Sequence, residues 1–152
     1  MTTTKTNELT IVGIAIRTSN EKGKAQHDIP MLWRKFSEEN IPNRVPNKLN
    51  DTIYAVYTDY EGDHTKPYTL VIGYNVASLN NIPEDMTVKI IPPANYKKFI
   101  AKGNLTKDAV INTWTEIWNT DLKRTYTADM EIYGEKAVNP TKGEAEILVA
   151  IE

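Results

Sequence analysis

Tyr126-Thr127-Ala128-Asp129-Met130-Glu131-Ile132-Tyr133-Gly134-Glu135 reads with a period of two. Ala128, Met130 and Ile132 fall on one face of a strand, and Thr127, Asp129, Glu131 and Tyr133 on the other. A carboxylate and a phenol therefore project from the same side, two residues apart. If that side faces water, Glu131 is an ordinary strand carboxylate. If it faces an aromatic-lined groove, Glu131 is a costly charge that needs a cationic or proton-donating partner. Glutamate has low strand propensity, and Met130, Ile132 and Tyr133 surround it in what reads as an inner strand, which argues for the groove.

Working outward, Leu9 to Arg17 is dense in β-branched residues (Ile11, Val12, Ile14, Ile16) and predicts a strand. Asp28 as an N-cap and Pro30 in the first turn predict a helix with Ile29, Leu32, Trp33 and Phe36 on one face, closed by Pro42. Ile53 to Tyr60 and Tyr68 to Val76 read as a hairpin with a longer loop. Met86 to Ile91 and Asn95 to Lys102 are strand-like and broken at Pro92-Pro93. Thr106 can cap a second helix that carries Val110, Trp114, Ile117 and Trp118 on one face. The strand around Glu131 follows, then a turn and a last strand from Ala145 to Ile151.

The order β-α-β-β occurs twice, and Leu32-Trp33-Arg34-Lys35-Phe36 is similar to Thr113-Trp114-Thr115-Glu116-Ile117. This predicts an α+β domain: duplicated β-α-β-β halves, about 9–80 and 86–152, forming one antiparallel sheet with two main helices on one face. Residues 1–8 are expected to be a disordered or extended tail, and 9–152 a single domain. The helix side of the sheet is expected to be the core, and the opposite side, near the seam of the halves, to carry a central ligand groove.

Composition narrows the function. The chain has 152 residues, enough for one good core, and a formal net charge of −2, which offers no basic footprint for nucleic acid. The absence of cysteine excludes disulfides, thiol catalysis and cysteine-ligated metals. No signal peptide or membrane-length apolar run is present, so a cytoplasmic location without membrane contact is expected. Eight tyrosines and three tryptophans stand against two phenylalanines. Rings with a polar handle suit a half-dry binding groove or an amphipathic sheet face.

Among candidate sites, Trp33 at helical spacing reads first as core. Trp114 and Trp118, at i and i+4, form a wide ridge that can wall a ligand site. The acidic hairpin Asp59-Tyr60-Glu61-Gly62-Asp63-His64 does not fit a calcium loop, which needs a glycine at position six and a distal glutamate. His27 and His64 sit in no ligand-spaced cluster. Phosphate loops, nucleophile elbows and Ser/His/Asp patterns are absent. No metal and no cofactor is expected.

The runs Ile53-Tyr54-Ala55-Val56-Tyr57-Thr58-Asp59-Tyr60-Glu61-Gly62-Asp63 with Pro67-Tyr68-Thr69, Tyr96 to Gly103, Trp114 to Trp118 and Asp129 to Tyr133 resemble the GyrI-like small-molecule-binding family. That domain type also forms the effector-binding half of some AraC-type and MerR-type regulators. The resemblance runs from about Leu9 to Ile151. It implies a duplicated β-α-β-β fold with a central groove, where a strand glutamate among aromatic rings pairs with lipophilic cations; Glu131 occupies that motif. The expected ligand-binding set is Glu131, Tyr133, Trp114, Trp118, Tyr96, Tyr54, Tyr68 and Trp33, for an aromatic or lipophilic ligand of cationic or electrophilic character. Two alternatives stay open. One is a hydrolase of strained electrophiles, with Glu131 as catalytic base and Tyr96, Tyr133 or another groove tyrosine as proton donor. The other is a protein-interaction module, such as a gyrase inhibitor or a partner of a regulator. Family members that regulate transcription carry a separate DNA-binding domain, and no helix-turn-helix fits in Met1 to Glu8, so direct nucleic-acid binding is not expected.

Overall fold

The computed structural model describes residues 3–63 and 65–152. Its strands are β1 (Thr3–Lys5), β2 (Leu9–Thr18), β3 (Ile53–Thr58), β4 (Tyr68–Asn75), β5 (Thr87–Ile91), β6 (Asn95–Gly103), β7 (Ala128–Tyr133) and β8 (Gly143–Ile151). Its helices are α1 (Lys24–Glu38), the four-residue α2 (Ile41–Arg44) and α3 (Ala109–Trp118). The strands form one eight-stranded sheet in the order β1-β6-β8-β7-β3-β4-β2-β5. Every pairing is antiparallel.

That order is a palindrome under exchange of the halves: β1 corresponds to β5, β2 to β6, β3 to β7 and β4 to β8. Each half is thus β-β-α-β-β, with its leading strand given to the other half. β1 pairs with β6, and β5 pairs with β2. The sequence reading found the α+β class, the duplication and both main helices. It missed β1, because Thr3-Thr4-Lys5 is too short and polar to show a strand pattern and is recruited only by the edge of β6.

The sheet must coil strongly. In a flat sheet, six strand spacings of about 4.8 Å would separate β1 from β2 by roughly 29 Å. Only Thr6-Asn7-Glu8 connect them, a reach of about 14 Å. Gly13 and Gly73 make the bend possible. They face each other across the β2–β4 ladder. A Cβ on Gly13 would stand 1.9 Å from the Ile72 carbonyl oxygen, and one on Gly73 2.1 Å from that of Val12. Only a residue without a side chain permits so close an approach.

Coiling gives the sheet two buried faces. The inner face packs Ile11, Val56, Val71, Ile91, Tyr96, Ala128, Met130, Leu148 and Ala150 into one cluster, with Tyr54 partly buried against it. The outer face carries the helices. Leu32 and Phe36 of α1 pack on Val12, Ile14, Leu70 and Ile72. Trp114 and Ile117 of α3 pack on Phe99, Ala101, Ile147 and Val149. The expectation that the groove lies opposite the helices is therefore corrected. That side is a filled apolar core, because coiling brings its strands together.

α1 begins earlier than expected. A 3-10 turn, Glu21–Gly23, leads into it, with Gly23 in the left-handed region at φ 70°. Asp28 does not cap the helix; its carboxylate accepts from Thr18 Oγ1 at 2.8 Å. Pro30 lies inside the helix, where it removes the N–H that would have bonded the Gln26 carbonyl. Thr106 likewise stands outside α3 and donates to Asn104 Oδ1.

Gly73→Ala should cost at least about 3 kcal/mol, since the added Cβ meets backbone rather than a movable side chain. Gly134→Ala is the control: its Cβ would meet only Thr52 Oγ1, at an ordinary 3.7 Å. Denaturant unfolding of both variants checks this, and comparable midpoints would refute the close-approach argument.

Candidate functional site

The two halves join where β3 pairs with β7, in a register that sets Ala55 opposite Glu131, Tyr57 opposite Asp129 and Ile53 opposite Tyr133. These six side chains share the outer face. α1 lies over β2 and β4, and α3 over β6, so the β3–β7 seam lies between the strands that the two helices cover. Ala55 is small and leaves room beside it for a large polar group.

Glu131 fills that room and is 3% exposed. Its Oε2 accepts from the Tyr57 hydroxyl at 2.7 Å and from Trp114 Nε1 at 2.7 Å. Its Oε1 accepts from the Tyr133 hydroxyl at 2.5 Å. Burial raises the Glu131 pKa, and the three hydrogen bonds oppose that rise without cancelling it. The same burial, together with the Glu131 charge, drives the Tyr57 and Tyr133 phenols well above their usual range. Both stay protonated and donate to the carboxylate. Tyr68 completes the ring wall, with its centroid 5.6 Å from that of Tyr57. Its phenol is pushed up to about 12, chiefly by burial and then by the Glu131 charge.

The remaining rings extend the wall. Trp33 meets Tyr133 edge-on at 5.3 Å, and Trp114 meets Tyr57 edge-on at 5.4 Å. Trp118 is tilted against Trp114 at 6.4 Å and is 38% exposed at the outer end of α3. Of the expected set, Glu131, Tyr133, Trp114, Trp118, Tyr68 and Trp33 come together in one cluster of contacts at the β3–β7 seam. Tyr54 and Tyr96 do not. Both project to the inner face, where Tyr96 is fully buried. They are removed from Glu131 by strand alternation: Tyr54 sits one residue from Ala55, the residue opposite Glu131.

Residues missed in the sequence are as informative. Tyr57 touches Glu131 directly. The alternation Ile53, Ala55, Tyr57 could have flagged it, but only once the β3–β7 register was known. Asp129, on the same strand face as Glu131 and absent from the expected set, is fully buried. Its Oδ2 accepts from Arg124 Nη2 at 2.7 Å and from the Tyr60 hydroxyl at 2.5 Å, while Oδ1 accepts from the Ala150 N–H at 2.8 Å. Arg124 also lies over the Tyr126 ring, 4.4 Å from its centroid.

The acidic loop holds structural pairs. Asp59 accepts from Lys89 Nζ at 2.7 Å, and Glu61 from Arg17 Nη2 at 2.8 Å. His64 lies outside the described residues. Among the described residues, no group of three or more His, Asp or Glu side chains could hold a metal. No described helix is long and apolar enough to cross a membrane.

A buried strand glutamate ringed by tyrosine and tryptophan, at the seam of a duplicated β-β-α-β-β sheet, can be compared with known proteins. The family of Cass2 integron-associated effector-binding proteins matches residues 2–151. The chain belongs to the Cass2 family. It is an effector-binding protein, a binder of small molecules. YobU of Bacillus subtilis (strain 168), which carries the name of a proposed transcriptional regulator, is 28% identical over 144 residues, covering 92% of this chain and 90% of its own. The integron cassette protein from the mobile metagenome of Vibrio cholerae is 27% identical with a TM-score of 0.75, over 99% of this chain and 95% of that one. SAV2435, solved bound to tetraphenylphosphonium, gives a TM-score of 0.81 over 99% of this chain and 93% of that one; at 20% identity the likeness is one of fold.

The raised Glu131 pKa has a stability consequence in this Cass2-family protein. The folded state holds the Glu131 proton more tightly than the unfolded chain, so it binds more protons in the window between them. Stability is then fully present below about 4.5, the ordinary carboxyl value, and declines as pH rises to the raised folded value. Glu131→Gln removes that slope. Unfolding of both proteins across this window should show the wild type losing ground to the variant as pH increases; parallel curves would contradict the assignment.

Proposed function

We propose that this protein binds bulky aromatic cations over Glu131, in a trough between α1 and α3. One contrast carries the reading. Two carboxylates are buried on the same face of β7, and only one has a counter-charge. Asp129 is paired with Arg124. Among the described residues Glu131 has no lysine or arginine partner, only the neutral donors Tyr57, Trp114 and Tyr133. A buried charge without a counter-ion is expensive, and hydrogen bonds offset only part of that cost. A lipophilic cation supplies the missing charge and brings little hydration of its own. The aromatic walls add attraction worth up to about 2 kcal/mol when desolvated.

The comparison with SAV2435 supports this chemistry, since tetraphenylphosphonium is a cation of this kind and was captured by a protein of the same fold. Binding is favoured over turnover. The hydrolase alternative needs a tyrosine as proton donor, and burial raises both phenols beside Glu131 well above their usual range, which makes them weaker acids. Tyr96, the other donor considered, is on the far side of the sheet.

Tryptophan fluorescence quenching by tetraphenylphosphonium tests the reading, with triphenylphosphine oxide as the neutral comparison. Glu131→Gln is expected to weaken the phosphonium by at least about tenfold, roughly 1.4 kcal/mol, and the oxide by much less. Phosphonium affinity of the wild type should also fall as acid protonates Glu131, from a pH above the ordinary carboxyl range. Equal dissociation constants for wild type and variant would exclude Glu131 as the counter-ion.

A further inference from the structure

We infer that the Glu131 site selects among cations by their hydrogen-bond donors: it takes permanently charged onium groups and discriminates against protonated primary amines of similar shape. This rests on the proposed cation-binding role of Glu131 and adds a rule for which cations qualify.

The geometry that carries it is the occupancy of the carboxylate. An ionised carboxylate offers about four lone-pair positions. At Glu131 three are taken: two on Oε2 by Tyr57 and Trp114, and one on Oε1 by Tyr133. The donors come from β3, α3 and β7, so they close around the group from three elements. They are not free to swing away. Tyr133 is wedged edge-on against Trp33, and Tyr57 against Trp114.

A cation in the trough therefore feels the field of the carboxylate but finds three of its four acceptor positions engaged, which leaves room for one donor at most. A quaternary ammonium or phosphonium loses nothing by this. Its charge is spread over carbon-bound hydrogens, it has no donors to satisfy, and ring faces suit it. A primary ammonium carries three N–H donors and a tightly held hydration shell. In the trough it must leave donors unsatisfied, keep water with it, or displace a tyrosine hydroxyl from Glu131. Each route costs affinity. The charge of Glu131 admits cations, and the three hydrogen bonds on it determine which cations gain most.

The test compares (2-naphthylmethyl)trimethylammonium with 2-naphthylmethylammonium by calorimetry at neutral pH, where each carries one positive charge. The trimethyl compound should bind wild type at least about tenfold more tightly. Its extra methyl groups favour it on hydrophobic grounds alone, so the decisive quantity is how the ratio of dissociation constants changes on freeing the acceptors. Tyr57→Phe with Tyr133→Phe keeps both rings and removes two of the three hydrogen bonds. The ratio should narrow by at least about fivefold in the double variant, and by less in each single variant. The singles decide if the double does not fold. An unchanged ratio, with Glu131→Gln still weakening both cations, overturns the selectivity rule and leaves the cation site standing. Failure of both cations to bind wild type overturns the site and the rule together.

Discussion

The pairing of β3 with β7 is the constraint on which the rest of the structure depends. It places Ala55 opposite Glu131 and joins the halves through a buried carboxylate. That carboxylate is satisfied only when Tyr57 from the first half and Trp114 and Tyr133 from the second are all in place. A one-residue slip would turn Glu131 into the apolar inner core and carry Met130 outward. Leaving a charged group there without donors would cost several kcal/mol. The group that marks the candidate site thus also penalises any wrong register between the halves.

Glu131 and Asp129 show how one strand face can hold two buried carboxylates in different roles. Asp129 binds a guanidinium, a phenol and the backbone N–H of Ala150, so it ties the 124–126 segment and Tyr60 to the sheet. Nothing is left for a ligand to complete. Glu131 has neutral donors only and lies between helices that cover the flanking strands. A row of rings, Trp114, Tyr57, Tyr68, Tyr60 and Tyr126, runs from one carboxylate to the other. The tyrosine excess in the composition is largely accounted for by this row and by Tyr133.

Much of the fold was legible because it is written in short-range patterns. The β-branched run from Ile11 to Ile16, the alternation around Met130, and Trp33 and Trp114 on amphipathic helices all report local periodicity. Glu131 stood out for the same reason, as a poor strand former between apolar neighbours. What could not be read depends on pairing between distant strands. Tyr57 and Tyr54 differ by three positions and look alike in sequence, yet they end on opposite faces. Which of them meets Glu131 is fixed by a register with a segment more than seventy residues away. The helix start at Lys24 was hidden by Asp28 and Pro30, a persuasive cap signal that the Gly23 turn overrides. The inner core was unforeseen because the bend rests on two isolated glycines, Gly13 and Gly73, that meet only after folding.

The exchange of leading strands bears on how the domain assembles. β1 pairs with residues near position 97 and β2 with residues near position 91, closing loops of roughly eighty to ninety residues, which is slow in entropy terms compared with the local β3–β4 hairpin. The helices and their hairpins can nucleate within each half, while both rims of the sheet have to wait for the other half to arrive. Neither half is complete when translated alone. Each lacks the strand that its counterpart brings, so damage at one place in the chain is felt at a distance. Loss of Thr3–Lys5, at the very start, would bare the edge of β6 in the second half and leave β2, its own neighbour in sequence, fully paired.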